Sequence, residues 1–317
     1  MNKIYFGSIK CQQYFLSGKK KGQKCDNFAY YKQSKKYVCG VHSDENKRTK
    51  LPKDPNAKET KENLLKYRQK LIDEAAEKNR KEEKKGNIIC SKMNMMKEPP
   101  YNEGYLKVFP NYKHQNRSDG FGCASLSPKY MGPIDHGMPG LPIAKNLENF
   151  HQFSKVFTTD ADENGNPTQE FRELRIRAFN DPIPHRHKYE YPEIKKIVGE
   201  NGNVNKPLYS IFSDKEGNEK QFQYTEARYF YCKWYEKFAL KDENFLKLKN
   251  MVDEGVNLQI TGYDAYDVDN RNLYDCYVWE KKPFGHEMVL YTLLTVSDPN
   301  DYPWNQYYEK HKEKYFN

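Results

Sequence analysis

Four potential metal ligands lie near the start of the chain, at Cys11, Cys25, Cys39 and His42, in the spacing C-x13-C-x13-C-x2-H. The closing C-x2-H places a thiolate and an imidazole on one tight turn, as a tetrahedral ion requires. Three sulfurs and one nitrogen saturate a zinc ion and leave no open catalytic position, so we expect a structural zinc site. The alternative is a set of unconnected thiols.

The segment around these ligands has few aliphatic residues with which to fold alone, so metal binding would supply the missing folding energy. Seven Cys is an odd number, and the chain shows neither a secretory signal nor an apolar run approaching 18 residues. We therefore expect reduced thiols, no membrane partner and an intracellular protein, located in the cytoplasm or nucleus, or in a host cell or virion if it is viral. The remaining four thiols are expected to be buried: Cys90, Cys123, Cys232 and Cys276.

The excess positive charge is confined to the same segment. Residues 1–50 contain twelve Lys or Arg against three Asp or Glu, which accounts for the whole net charge of +9. A basic patch of this density attracts polyanions, chiefly nucleic acid. The alternative is a solubilising tail. The lysines expected to contact nucleic acid are Lys19, Lys20, Lys21, Lys24, Lys35 and Lys36.

Changes in composition along the chain predict three regions. A basic zinc-binding module at 1–45 is followed by a charged linker at 46–87, in which residues 60–85 form a solvated helix with a short apolar stripe. From residue 88 to 317 aromatic residues and Gly/Pro turns are frequent, and 26 Tyr and 17 Phe provide enough apolar surface to close a core. Strands and helices are mixed in this region, which indicates an α+β fold: a compact mixed domain behind a small zinc module and a helical linker.

A Pro/Gly-rich loop at 125–143 carries four Pro and three Gly. Stiff, ordered loops of this kind often frame a site, although a plain surface loop fits the sequence nearly as well. Asn146 then caps a helix predicted from Leu147 to Phe157. Its polar face carries Glu148, Gln152 and Lys155. A carboxylate, an amide and an amine would thus lie beside the loop, either as acid–base machinery or as an ordinary polar helix face.

Further elements are predicted from apolar periodicity and turn residues. Residues 208–213 and 256–263 are expected to be strands, and residues 226–240 and 244–254 helices. A last helix is expected at 288–294, after Phe284-Gly285-His286-Glu287.

Three groups of motifs, spread over residues 120–296, together resemble the NADAR family. The first is Leu126-Ser127-Pro128 and Gly132-Pro133-Ile134 followed by Glu148-Asn149-Phe150-His151-Gln152-Phe153-Ser154-Lys155. The second is Trp234-Tyr235-Glu236-Lys237-Phe238 followed by Phe245-Leu246-Lys247-Leu248. The third is Tyr263-Asp264, Trp279 and Gly285-His286-Glu287-Met288-Val289-Leu290. Asn149 replaces a family His, Glu287 replaces an Asn, Trp279 lacks the Gly that follows it in the family, and the final Leu-Gly is absent. The segment from Cys11 to His42 is similar to a short zinc-binding module of giant DNA virus proteins and some bacterial proteins.

The resemblance implies an α-rich α+β fold and an activity on ribosylated bases, because the family includes N-glycosidases and hydrolases of ADP-ribose attached to nucleobases. It makes Glu148 the main catalytic candidate, as a carboxylate that stabilises an oxocarbenium-like sugar or activates water. Asp264 is the second catalytic candidate. Glu287 is a weaker acid candidate, which we class with the substrate-binding residues.

The same resemblance implies roles in substrate binding. Lys155 would bind a phosphate or hold Glu148 ionised, and Gln152 would orient a ribose hydroxyl or a water molecule. Trp279 or Trp234 would stack on a base.

Two hypotheses of different classes follow. In the first, the chain is a hydrolase that cleaves an N-glycosidic or ADP-ribosyl linkage in a nucleotide or in a substrate attached to nucleic acid. Its zinc module would tether it to nucleic acid, and its small-molecule ligand would be a nucleotide or of the ADP-ribose type. In the second, it is a non-enzymatic, zinc-stabilised nucleic-acid-binding protein of a large DNA virus. A pocket enclosing Glu148, Lys155 and Asp264 favours the first, and an open surface at these residues favours the second.

Overall fold

The computed structural model of the 317-residue chain describes residues 4–6, 8–18, 20–94, 98–187, 207–268 and 271–316. The chain divides into two compact parts, Met1–Tyr67 and Arg68–Asn317, which we call the N-terminal unit and the C-terminal unit. The division falls inside a long helix, whereas the sequence predicts boundaries after residues 45 and 87. No helix in the described ranges is long and apolar enough to cross a membrane.

The N-terminal unit is built around a small antiparallel sheet. Its strands are β1 (Tyr31–Gln33), β2 (Lys36–Val38) and β3 (Thr49–Lys50), in the order β2-β1-β3. The cluster of buried side chains beside the sheet consists of Val38 and three cysteines. Such a core is too small to hold a fold by burial of apolar surface alone.

Helix α1 (Ala57–Lys81) begins three residues earlier and ends four residues earlier than the sequence predicts. Only Ile72 and Ala76 are buried on it, and its exposed side chains form i,i+4 ion pairs such as Lys70 with Glu74. The predicted solvated, charged helix is therefore confirmed, with different ends.

Besides the last part of α1, the described part of the C-terminal unit contains seven strands and seven α-helices, which confirms the predicted α+β fold. The strands are β4 (Ile88–Lys92), β5 (Tyr105–Phe109), β6 (Phe121–Gly122), β7 (Lys155–Val156), β8 (Tyr209–Ser213), β9 (Glu219–Phe222) and β10 (Asn257–Gly262). The helices are α2 (Leu147–Gln152), α3 (Gln169–Asn180), α4 (Tyr224–Ala239), α5 (Glu243–Asp253), α6 (Leu273–Val278), α7 (His286–Thr295) and α8 (Pro303–Lys310).

The larger sheet is parallel throughout and has the order β4-β10-β5-β6. On its central strand Ile260 pairs with Cys90 on one side and Val108 on the other, and all three are buried. Helices α5 and α7 pack against this sheet. Because all four strands run in the same direction, their carboxyl ends meet at one edge.

The second sheet is antiparallel and has the order β7-β8-β9, with α4 packed on β8 and β9. Aromatic side chains fill the space between them, as in the stacked pair of Phe212 and Phe230, whose ring centroids are 4.0 Å apart. The buried Tyr235 hydroxyl donates to the Leu126 carbonyl at 2.7 Å. The four thiols expected to be buried, Cys90, Cys123, Cys232 and Cys276, are all buried.

The helix predicted from Leu147 to Phe157 is wrong beyond Gln152. The chain leaves the helix at Phe153, and Lys155 then lies on β7, where it pairs with Ser210 of β8. This turn buries both Phe153 and Val156 and lets the backbone of residues 155–156 pair with β8. Strand β7, and not helix α2, therefore positions Lys155.

Candidate functional site

The four predicted metal ligands of the N-terminal unit converge on one point. Their donor atoms all lie within 4.8 Å of one another. The His42 Nδ1 atom is 3.5 Å from the sulfur of Cys11 and 3.5 Å from that of Cys39, and the sulfurs of Cys25 and Cys39 are 3.9 Å apart. Zinc bonds of ~2.3 Å to sulfur and ~2.0 Å to nitrogen give S···S and S···N edges of about 3.8 Å and about 3.5 Å in a tetrahedral site. The residues thus fit one tetrahedral ion and could hold a metal.

Two local structures bring these ligands together. Cys11 and Cys25 lie on paired extended segments, where the Cys11 N–H donates to the Asn27 carbonyl and the Cys25 N–H to the Gln13 carbonyl. Cys39 directly follows β2, and His42 ends the short 3-10 turn Gly40–His42.

The thiols differ in how readily they ionise. Burial, together with the nearby sulfurs of Cys39 and Cys11, raises the pKa of the Cys25 thiol to about 11. Burial also acts on Cys39, but the backbone N–H groups of His42 and Val41 outweigh it and lower the pKa of that thiol. Because metals bind thiolates, these N–H groups favour the metal-bound form.

A cavity of about 470 Å³ opens in the C-terminal unit at the carboxyl edge of the parallel sheet. The residues after β5, the residues after β10 and the first turn of α7 line one part of it, and α2 and β7 line another. In sheets with parallel strands, ligands commonly bind outside the carboxyl ends of the strands. The cavity is therefore the natural candidate for a binding site in this unit.

Five residues singled out from the sequence line this cavity: Glu148, Gln152, Lys155, Asp264 and Glu287. Trp234 and Trp279 do not line it. Trp234 packs beside Phe238 with the Lys237 ammonium 4.3 Å from its ring, and Trp279 lies under the Arg271 guanidinium at 4.4 Å. The aromatic lining comes instead from residues to which the sequence assigns no role in the site: Tyr112, Phe157, Tyr224, Tyr231, Tyr263 and Phe284.

Glu148 is held in a defined position. Its side chain is only 8% exposed, and its Oε1 accepts a hydrogen bond from Gln152 Nε2 at 3.1 Å. Its backbone N–H donates to the Pro128 carbonyl at 3.0 Å, which ties α2 to the Pro/Gly-rich loop.

The fully buried Asn149 anchors α2 from the other side. Its amide donates to the carbonyls of Ala178, Asp181 and Ile183. Asn149 therefore fixes the helix that carries Glu148 and does not itself line the cavity.

Glu287 is a carboxylate with no exposed surface. It packs against the end of β10 at Gly262, where a Cβ atom would collide with the carboxylate. The Asp264 N–H donates to Glu287 Oε1 at 3.4 Å, and Oε2 lies 3.2 Å from His286 Nδ1 without forming a hydrogen bond. Burial raises the pKa of Glu287, and the charge of Asp264 adds to the shift. This carboxyl group is thus suited to hold a proton.

Several buried polar atoms of the lining have no hydrogen-bond partner among the described residues. They are Nδ1 of His114, Nε of Arg228, Nε2 of His286 and Oε2 of Glu287. Leaving one such atom unsatisfied costs about 1–3 kcal/mol, and native structures contain few of them. These four atoms belong to lining residues, although the atoms themselves have almost no exposed surface.

Two histidines of the lining are held neutral. Burial, together with the cations of Lys155 and Arg228, keeps the pKa of His151 well below its usual value, and its ring packs on Tyr231 at 4.5 Å. Burial also lowers the pKa of His114, with a contribution from Arg117. The sequence motif includes His151, but no pattern in the sequence distinguishes His114.

Arg228 of α4 organises another part of the lining. The guanidinium is buried and donates to the carbonyls of Tyr277, Trp279 and Lys282, and so holds the loop after α6 in place. It lines the cavity as well. The sequence predicts a helix at Arg228, but no pattern in it indicates that this residue belongs to a binding site.

The lysines predicted to contact nucleic acid lie on the surface where the structure describes them: Lys20, Lys21, Lys24, Lys35 and Lys36 are all exposed. Lys19 lies outside the described residues.

Glu287→Gln should increase the free energy of unfolding by about 1–3 kcal/mol at a pH above the folded-state pKa of Glu287, because the neutral amide keeps the shape and avoids burying the charge that the wild type then carries. A carboxyl group with a raised folded-state pKa stabilises the fold at low pH and loses that stabilisation as the pH rises through the folded-state pKa. The gain of the variant should therefore grow from about pH 5 to about pH 8. Urea denaturation at about pH 5 and about pH 8 measures the difference in the free energy of unfolding between the variant and the wild type. Glu173→Gln, which changes an exposed glutamate, is the control. A variant no more stable than the wild type at the higher pH would contradict the expectation.

Comparison of the chain with protein-family models, curated proteins and solved structures finds no match.

Proposed function

We propose that the C-terminal unit is a hydrolase that cleaves an N-glycosidic or ADP-ribosyl linkage in a nucleotide or in a substrate attached to nucleic acid. The observation that carries this proposal is the shared cavity of Glu148, Lys155 and Asp264. An enclosed arrangement of these residues is what the hydrolase hypothesis requires, whereas an open surface would suit a binding protein. The resemblance to the NADAR family supplies the substrate class.

The proposed chemistry begins at Glu148. When the bond between the sugar carbon C1′ and the base nitrogen breaks, positive charge develops on the sugar ring. A preorganised carboxylate beside that ring stabilises the charge, and it can then accept a proton from the water that attacks C1′. The hydrogen bond from Gln152 keeps the carboxylate oriented for both tasks.

The departing base nitrogen takes the electron pair of the broken bond and needs a proton. Glu287 is the group suited to provide it, because its raised pKa keeps it protonated to a higher pH than an exposed carboxyl. Asp264 lies beside it and donates its backbone N–H to the Glu287 carboxyl group. Two carboxyl groups in different environments thus divide the roles of base and acid.

Cations in the lining are proposed to bind the phosphate groups of the substrate. Lys155 is joined by other basic residues of the cavity, namely Lys113, Lys129, Arg186 and Arg228. Lys and Arg are the usual partners of phosphate oxygens in proteins.

Lys155→Met should raise KM roughly 10- to 100-fold and leave kcat nearly unchanged, because a phosphate contact made equally in the ground state and the transition state affects binding alone. Steady-state kinetics of the variant measure the two constants separately. Lys247→Met, which removes an exposed lysine of α5, is the matched control. A fall in kcat with unchanged KM would assign Lys155 to the chemical step.

For the N-terminal unit we propose that the bound metal is zinc and that the unit tethers the protein to nucleic acid. Three thiolates and an imidazole in a closed tetrahedral set are the ligands of structural zinc sites. The exposed lysines around the site favour a polyanionic partner. A chain with this tether and an inactive cavity would correspond to the second hypothesis, the non-enzymatic nucleic-acid-binding protein.

The test is direct assay of the purified full chain on a nucleotide, on NAD and on ADP-ribosylated nucleic acid. Release of a free base or of ADP-ribose, detected by chromatography, is the expected result. No release from any substrate, with nucleic-acid binding retained, would leave the binding hypothesis in place.

A further inference from the structure

In the N-terminal unit, residues 10–14 and 24–28 pair as an antiparallel ladder, and the outer face of this ladder carries aromatic and charged side chains. Antiparallel bridges pair Lys10 with Phe28 and Tyr14 with Lys24. Because side chains alternate along extended segments, the ligands Cys11 and Cys25 point to one face and their neighbours to the other. The residues on the second face are all exposed: Lys10, Gln12, Tyr14, Lys24, Asp26 and Phe28.

Two aromatic rings stand on this face beside cations. Tyr14 is 54% exposed and Phe28 is 45% exposed, high values for rings of this size. The Lys10 ammonium lies 3.7 Å from the centroid of the Phe28 ring and donates to the Asp26 carbonyl at 2.9 Å, which holds it there. The metal site behind the face fixes the two segments, so the rings are presented on a rigid support.

We propose that this face binds single-stranded nucleic acid, with bases stacked on Tyr14 and Phe28 and with phosphates contacting the surrounding lysines. The inference rests on the nucleic-acid partner proposed above and adds the surface and the form of the strand. Unpaired bases offer their flat faces to aromatic side chains, whereas the bases of a duplex are stacked on one another. The lysines contact the phosphates along the strand, and these contacts do not depend on the base sequence.

Charge and polarity favour this partner over an anionic bilayer. The pair of Gln12 and Asp26 lies between the two rings on the ladder. Inserting both rings into hydrocarbon would bury the Asp26 carboxylate, which is costly without a partner. A strand of nucleic acid can stack on each ring and leave Asp26 in water.

The experiment measures binding of the full chain to labelled oligodeoxythymidine and oligouridine of about 20 nucleotides and to a duplex of the same length, by fluorescence anisotropy over a range of salt. Tyr14→Ala and Phe28→Ala should each weaken single-strand binding about 5- to 150-fold and leave duplex binding and the salt dependence unchanged. Tyr14→Phe should retain the affinity, whereas Tyr14→Leu, which keeps apolar bulk without a ring, should lose it. Tyr67→Ala removes a tyrosine with a similar exposure of 57% and is the control.

The outcomes separate this inference from the proposal on which it rests. Equal single-strand affinity of the wild type, Tyr14→Ala and Phe28→Ala, with metal content unchanged, would overturn the stacking face but leave a nucleic-acid partner. Binding to neither the single strands nor the duplex would remove the partner itself. Ring-dependent binding to phosphatidylserine vesicles, without binding to the oligonucleotides, would assign the face to a membrane surface instead.

Discussion

Cys25→Ser should leave the purified chain without bound zinc and unfold the described residues around the site, because a hydroxyl replaces one of four donors and the ligands themselves form most of the buried cluster. Structural zinc contributes about 10–16 kcal/mol to the folding of small zinc modules, far more than the few apolar side chains here can replace. Metal analysis should give one zinc per wild-type chain and none for the variant. Trypsin should then cleave the variant rapidly at the many Lys and Arg of residues 1–50.

The C-terminal unit provides an internal control for this experiment. All three tryptophans, Trp234, Trp279 and Trp304, lie in that unit, so tryptophan fluorescence reports its folding separately. It should not change in Cys25→Ser. Cys232→Ala, which alters a buried thiol of α4, should retain the full zinc content. Wild-type protein without zinc, or Cys25→Ser with a full complement, would contradict the assignment of the site.

Features set by local sequence were predictable. Helices α4 and α5 and strands β8 and β10 lie within two residues of their predicted positions, because their apolar periodicity and the turn residues beside them act over a few residues. The convergence of the metal ligands followed from donor type and spacing. Strands β4, β5 and β6 were not predicted. They become strands through parallel pairing with partners distant in sequence, such as β4 with β10, and no local pattern encodes that pairing.

The cavity shows the same difference between what local sequence predicts and what tertiary packing decides. A polar helix face was enough to select Glu148 and Gln152, and Lys155 was selected on that face although it reaches the cavity from a strand. The resemblance predicts that Trp234 or Trp279 stacks on a base, but tertiary packing places both tryptophans elsewhere. Tyr231 and Arg228 line the cavity because α4 turns one side toward it, which the sequence of α4 does not reveal.

Glu148→Gln should reduce the proposed hydrolysis roughly 10²- to 10³-fold, a loss of about 3–4 kcal/mol of transition-state stabilisation. The amide has the shape of the carboxylate and can still accept the hydrogen bond from Gln152, so packing is preserved and only the negative charge is removed. The loss should appear in kcat, because the sugar carries positive charge only near the transition state. Single-turnover assays of base or ADP-ribose release measure it.

Glu173→Gln is a closely matched control, because Glu173 also accepts a hydrogen bond from a glutamine four residues away, Gln169, but on the exposed surface of α3. It should leave the rate unchanged. If the wild type, Glu148→Gln and Glu173→Gln release equally little product from every substrate while zinc and nucleic acid still bind, the hydrolase proposal fails. Glu148 would then belong to the polar face of a short helix, and the non-enzymatic binding hypothesis would stand.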